Sequence, residues 1–196
     1  MSFPNKKLSI FIFRKGYFMR RISIFTTVFA FLAFTLLGSA SSSFAGGPKD
    51  GELKFPAGYE TFPRFLSGIQ KPKHVRDLFI NKTGAMAKKG DALANGSILV
   101  MEIYNAKKGA DGNPIKRPDG HNAKDNLAKV FVMEKGAGWG KNAPDGLATG
   151  DWVFSAFSAE GTPIKANFKK CRQCHLPLKD KDFVHRYDEY FAKRGH

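Results

Sequence analysis

The sequence predicts an α+β domain built mainly from an antiparallel β-sheet, with flanking helices near its two ends. Three observations predict it. Residues 97–104 and 127–134 are apolar runs rich in β-branched residues, of the kind that form strands. The segments between strands are rich in glycine, proline and asparagine and read as turns, not as helical crossovers. Helical spacing of apolar residues is confined to the beginning and end of the domain. Strands joined by turns pair antiparallel, and helices gathered at the ends pack on such a sheet instead of forming a bundle.

Residues 1–45 carry Lys6, Lys7, Arg14, Lys15, Arg20 and Arg21 and no acidic residue; an apolar run over 22–37 and small residues over 39–45 follow. This is the three-part pattern of an export signal peptide, with Ser43-Phe44-Ala45 as the cleavage site before Gly46 and Met19 as an alternative start. Sixteen apolar residues fall short of the roughly 20 that span a bilayer. The expectation is therefore a periplasmic or otherwise exported protein, with no stable membrane insertion after cleavage.

Residues 46–58, rich in glycine, proline and charge, read as an N-terminal arm, and residues 59–196 as a single domain. Within it, Phe62, Phe65, Leu66 and Ile69 recur at helical spacing and predict a short helix ending before Pro72. A strand over 75–81 closes on Asn81, and one or two helical turns over 83–89 end at Gly90. The strand over 97–104 leads into a polar loop over 109–126, a length that is uncommon unless the loop is functional or mobile. The strand over 127–134 stops at the glycine-rich 136–140, and a third strong strand over 151–157 carries Trp152, Phe154 and Phe157. Phe183, Arg186, Tyr187, Tyr190 and Phe191 predict a final amphipathic helix over 182–194.

The chain has a net charge of +15, which falls to +9 once residues 1–45 are removed. A basic surface of this size can steer an acidic redox partner. Nucleic acid is excluded as a partner by the export signal and by the absence of an arginine-rich run or recognition motif.

Ahead of the final helix stands Lys170-Cys171-Arg172-Gln173-Cys174-His175. Two cysteines three positions apart with histidine next in line form the attachment signature of haem c. On one helical turn both thiols can add to the haem vinyl groups while the imidazole is carried onto the iron. Cys171 and Cys174 are thus the expected anchors of one covalent haem, on a C-terminal haem-attachment helix, and His175 the expected iron ligand. A structural zinc site would need two more ligands, and the chain has only these two cysteines. A thioredoxin-type pair would follow an early strand and open a long helix.

Other side chains have two readings each. Met101 is a second iron ligand or a wall of the pocket, and His185 is a sixth ligand, a propionate partner or a packing histidine. Arg76 neutralises haem charge or a distal ligand, or is an ordinary strand-edge arginine. His74 and His121 lie in polar stretches and read as solvated.

The chain resembles the family that contains cytochrome P-460 and cytochrome c prime beta. The resemblance is carried by Phe55-Pro56 through Tyr59, Val75-Arg76-Asp77-Leu78-Phe79-Ile80-Asn81, Asn95-Gly96-Ser97-Ile98-Leu99-Val100-Met101-Glu102, Gly150-Asp151-Trp152-Val153-Phe154, the haem motif, and Asp182-Phe183-Val184. It implies a mainly antiparallel sheet, a homodimer, and a five-coordinate haem with an open distal face in the periplasm. Cytochrome P-460 oxidises hydroxylamine with a haem cross-linked to a lysine. Met101 stands at that position here, Lys107 and Lys108 fall beyond the strand, and 162–170 lacks the carboxylate that the enzyme draws from this segment. Cytochrome c prime beta has no cross-link and has an apolar distal pocket capped by phenylalanine. The resemblance therefore implies binding of a small diatomic ligand such as nitric oxide, or electron transfer, ahead of oxidation of hydroxylamine or a related nitrogen compound. Glu102 and Glu134 are the strand carboxylates able to change that reading if they face the pocket.

Overall fold

A computed structural model describes residues 46–194, and the expected signal peptide over 1–45, with its alternative start, lies outside the described residues. Five strands, β1 (Arg64–Lys71), β2 (His74–Ile80), β3 (Ile98–Ala106), β4 (Lys124–Lys135) and β5 (Trp152–Ser158), form one sheet in sequence order. Every neighbouring pair is antiparallel. Among the described residues three α-helices accompany the sheet, α1 (Lys82–Ala85), α2 (Phe168–His175) and α3 (Tyr187–Arg194), with 3-10 turns at Tyr59–Thr61, Trp139–Asn142 and Leu176–Lys181. The α+β expectation holds. Among the described residues no helix is long and apolar enough to cross a membrane.

The helix expected around Phe65 is instead strand β1. Its apolar spacing imitates a helix because register shifts interrupt the pairing with β2 between Arg64 and Leu66 and between Leu66 and Ile69. The irregular strand can therefore bury Phe65, Leu66 and Ile69 together, which strict alternation would not allow. Gly68, at φ 66°, supplies the left-handed residue, and its N–H is held by Asp77 Oδ1 at 2.8 Å.

Two other elements are shorter than their expected ranges. The helix expected over 83–89 is the single turn α1, capped by Asn81, whose side chain accepts from Gly84 N at 3.0 Å. The final helix starts only at Tyr187, because Asp182, Phe183 and Arg186 have left-handed backbones (φ 49°, 60° and 59°). The polar stretch between β3 and β4 is ordered by backbone bonds such as Ile115 N to Lys107 O (2.7 Å) and Arg117 N to His121 O (2.8 Å).

Both faces of the sheet are covered. On one face Leu99, Met133, Trp152 and Phe154 pack with Val184 and with Tyr187, Tyr190 and Phe191 of α3. On the other, Val100, Val130, Val132, Val153 and Phe157 pack with Leu53 and Tyr59. Each fully buried side chain of this size contributes about 1.5–3 kcal/mol. The arm 46–58 lies along β5, with Gly51 N bonded to Phe154 O (2.7 Å) and Leu53 N to Ser155 Oγ (3.0 Å). It covers what would be an open sheet edge.

Candidate functional site

Between the first face of the sheet, α2 and the segment that precedes α3 lies a cavity of about 320 Å³. Strand register builds its wall in rows. Leu99, Met133 and Phe154 are paired side by side, and one two-residue step along the strands Leu78, Met101 and Phe131 form a second row. A further step reaches Arg76, paired with Ile103. Because side chains alternate across a strand, the neighbours of these residues belong to the opposite face.

That alternation decides the carboxylates. Glu102 follows Met101 and faces away from the cavity, where the hydroxyls of Tyr59 (2.9 Å) and Tyr104 (3.0 Å) donate to its two oxygens. Burial, reinforced by Glu102, pushes the Tyr59 hydroxyl far above its usual range, and the same causes push Tyr104 up to about 12. Glu134 shares that far face, paired with Ile98 and Val153, and burial raises its carboxyl. None of the described residues lining the cavity is acidic.

Helix α2 brings the motif to the cavity. Asn167 caps it, accepting from Lys170 N at 3.3 Å. Cys171 and Cys174 lie one turn apart, and both line the cavity with His175. Arg172 points the other way and is 1% exposed. It forks onto Asp50 of the arm through Nε (2.7 Å) and a terminal nitrogen (2.8 Å) and donates to Thr149 Oγ1 (3.0 Å). The buried guanidinium fixes the roll of the helix, and so turns both thiols to the cavity.

His175 Nδ1 stands 2.6 Å from the backbone oxygen of Phe183. A carbonyl can only accept, so Nδ1 carries the hydrogen and Nε2 is left bare. The ring meets Phe154 edge-on, with centroids 5.2 Å apart. Burial pushes its pKa down to about 4, so the imidazole is neutral at physiological pH, the form that ligates a metal.

His185 lines the cavity on the same side as His175, ring to ring at 4.7 Å, with Nε2 3.1 Å from Cys174 O. It is a packing neighbour of the motif helix and not a side chain reaching across from the opposite wall. His74 and His121 do not line the cavity; His121 is exposed beside Asp119. Lys71, Arg76 and Arg186 do, and the Arg76 Nε is buried without a hydrogen-bond partner. Sequence reasoning found Arg76 and Met101 but missed Phe131, Leu78, Lys71 and Arg186. The alternation of Leu99 with Met101 and of Phe131 with Met133 was the available signal for the wall.

A model of the cytochrome P460 family matches residues 56–186, and the matched span takes in the sheet, the cavity wall and the motif helix. The chain belongs to the cytochrome P460 family. It is thus a haem-binding cytochrome. No curated protein matches it at a significant level.

The residues present fit a haem. A flat apolar group matches a wall of leucine, methionine and phenylalanine. Carboxylate substituents match a cation cluster in which one buried Arg76 nitrogen has no partner in the protein. Thiols one helical turn apart, beside a neutral imidazole with a bare Nε2, supply the donor set of haem c. Among the described residues no three His, Cys, Asp or Glu side chains converge on a bare metal ion.

Proposed function

We propose that the protein is an exported cytochrome in which Cys171 and Cys174 anchor a single haem c and His175 is its axial ligand. The sixth position is open, and it takes a small neutral diatomic molecule such as nitric oxide, or the protein passes single electrons to an acidic partner. Arg76 neutralises a haem propionate. The family resemblance supports a homodimer.

The observation that carries this reading is the segregation of chemistry across β3. Met101 faces the cavity, and Glu102, the next residue, is tied up on the far face by two tyrosine hydroxyls. Oxidation of hydroxylamine removes several protons, so it needs a proton acceptor within hydrogen-bond reach of the reacting nitrogen. An apolar wall instead admits neutral gases and gives no help to a substrate that must be deprotonated. The test is the optical spectrum of ferric and ferrous protein, with and without nitric oxide and carbon monoxide. A high-spin ferric spectrum that survives Met101→Ala, with both gases binding the ferrous form, is expected. A low-spin spectrum that Met101→Ala turns high-spin would make Met101 the sixth ligand and overturn the open site.

A further inference from the structure

Two stretches that carried the family resemblance without an assigned role, Gly150-Asp151-Trp152 and Asp182-Phe183-Val184, meet behind His175. The Trp152 indole N–H donates to Asp182 O at 2.8 Å. The Asp182 carboxylate accepts from Lys135 Nζ at 2.7 and 2.9 Å and from Leu93 N at 2.9 Å. Lys135 also donates to Leu93 O at 2.9 Å, so β4, β5 and the residues before β3 all converge on Asp182. Trp152 is fully buried, and the Lys135 and Asp182 side chains are 12% and 9% exposed.

The held segment is strained. Asp182 and Phe183 are consecutive non-glycine residues with φ of 49° and 60°, a conformation that persists only where the surroundings impose it. Gly150 leaves room for the Phe183 ring, since a Cβ there would lie 3.0 Å from Cε2. The outcome of this clamping is one hydrogen bond, from His175 Nδ1–H to Phe183 O at 2.6 Å.

We infer that Lys135, Trp152 and Asp182 form a positioning brace that presses the Phe183 carbonyl onto His175, and thereby sets the strength of the proximal bond and the reduction potential of the iron. The inference rests on His175 being the axial ligand. A hydrogen bond donated from the far nitrogen makes an imidazole more basic toward its metal. A more basic ligand stabilises ferric over ferrous iron and strengthens the iron–histidine bond. Slackening the brace therefore weakens that bond and raises the potential. An ion pair with no such role would change only the stability of the fold.

The test compares haem-loaded wild type with Trp152→Phe, with the double variant Lys135→Met/Asp182→Asn, and with Lys135→Arg. Trp152→Phe keeps an aromatic side chain and the charge and loses the indole N–H donor; the double variant removes one charge of each sign, so the net charge is unchanged and does not move the potential by itself. The iron–histidine stretch of the ferrous protein is read by resonance Raman, the potential by spectroelectrochemistry, and stability by thermal melting. Trp152→Phe and the double variant are expected to shift the stretch to lower frequency and the potential upward, and Lys135→Arg to match wild type. Variants that melt earlier while stretch and potential stay at the wild-type values would overturn the brace. Should the double variant not fold, Trp152→Phe alone decides. A wild-type protein with bound haem and no iron–histidine stretch would overturn the axial-ligand reading as well, so the two failures are distinguishable.

Discussion

The two faces of the sheet are made from the same strands and do opposite things with polarity. On the cavity face, apolar rows end in cations, and Arg76 keeps a buried nitrogen unpaired. On the far face two buried carboxylates, Glu102 and Asp77, are partnered inside the protein. Glu102 accepts two phenol hydrogens. Asp77 is bound by Lys124, by Arg64 at 3.1 Å and by Gly68 N. Burial works to raise the Asp77 carboxyl, but these bonds outweigh it and hold the carboxyl below its ordinary range. A single β-residue step, Met101 to Glu102, separates the two regimes. The difference teaches that buried charge in this fold serves architecture on one side and leaves the other side free for a cofactor with its own anions.

The largest effect that would break this comparison is on the cavity face. Cys171→Ser with Cys174→Ser is expected to remove covalent attachment altogether, so that the intact mass of protein made in a host able to mature c-type haem falls by one haem. Retention of the full haem mass would move the attachment elsewhere. On the far face, Glu102→Leu leaves the buried Tyr59 hydroxyl without this acceptor, at about 1–3 kcal/mol, and the part-buried Tyr104 hydroxyl at about 1 kcal/mol. Chemical denaturation should show a loss of roughly 2–4 kcal/mol, while carbon monoxide affinity of the folded protein stays within a factor of two. A large affinity change would mean that the faces are coupled.

The pH dependence sharpens the contrast from the proximal side. His175 titrates at about 4 in the fold, against about 6.5 for an unfolded histidine. The unfolded chain therefore takes up this proton first as pH falls. The contribution is complete above pH 6.5, declines as pH drops through that value, and is gone below about 4. Its size is on the order of 3 kcal/mol, to be read from denaturant midpoints of the haem-free Cys171→Ser/Cys174→Ser variant, in which His175 holds no iron, at steps between pH 7 and 4. A flat profile over that window would contradict a buried neutral imidazole. The smallest effect belongs to Met101→Leu, a swap of similar volume on the apolar wall, which should cost under about 1.5 kcal/mol and leave the high-spin spectrum unchanged.

Much of this was legible in the sequence where period and chemistry were local. The motif Cys171–Cys174–His175 announced itself by spacing, and β3, β4 and β5 by composition and alternation. β1 was misread because its bulges gave Phe65, Leu66 and Ile69 a helical spacing, and a bulge depends on pairing with a distant strand. The start of α3 differs from the expectation because left-handed residues at 182, 183 and 186 interrupt the helix, and the partners that hold Asp182, namely Lys135 and Trp152, are far away in the chain. The orientation of Met101 and Glu102 was half legible: alternation puts them on opposite faces, but only the docking of α2 decides which face holds the cavity.

The central proposal is that the cavity face, whose lining carries no carboxylate, binds neutral ligands and does not oxidise hydroxylamine. Its most direct test is steady-state assay of the haem-loaded protein with hydroxylamine and an artificial electron acceptor, on a sample whose ferrous form is shown to bind carbon monoxide. The account predicts carbon monoxide binding with no sustained turnover. Sustained turnover that disappears in Glu102→Gln or Glu134→Gln would show that a far-face carboxylate serves the iron, and would contradict it.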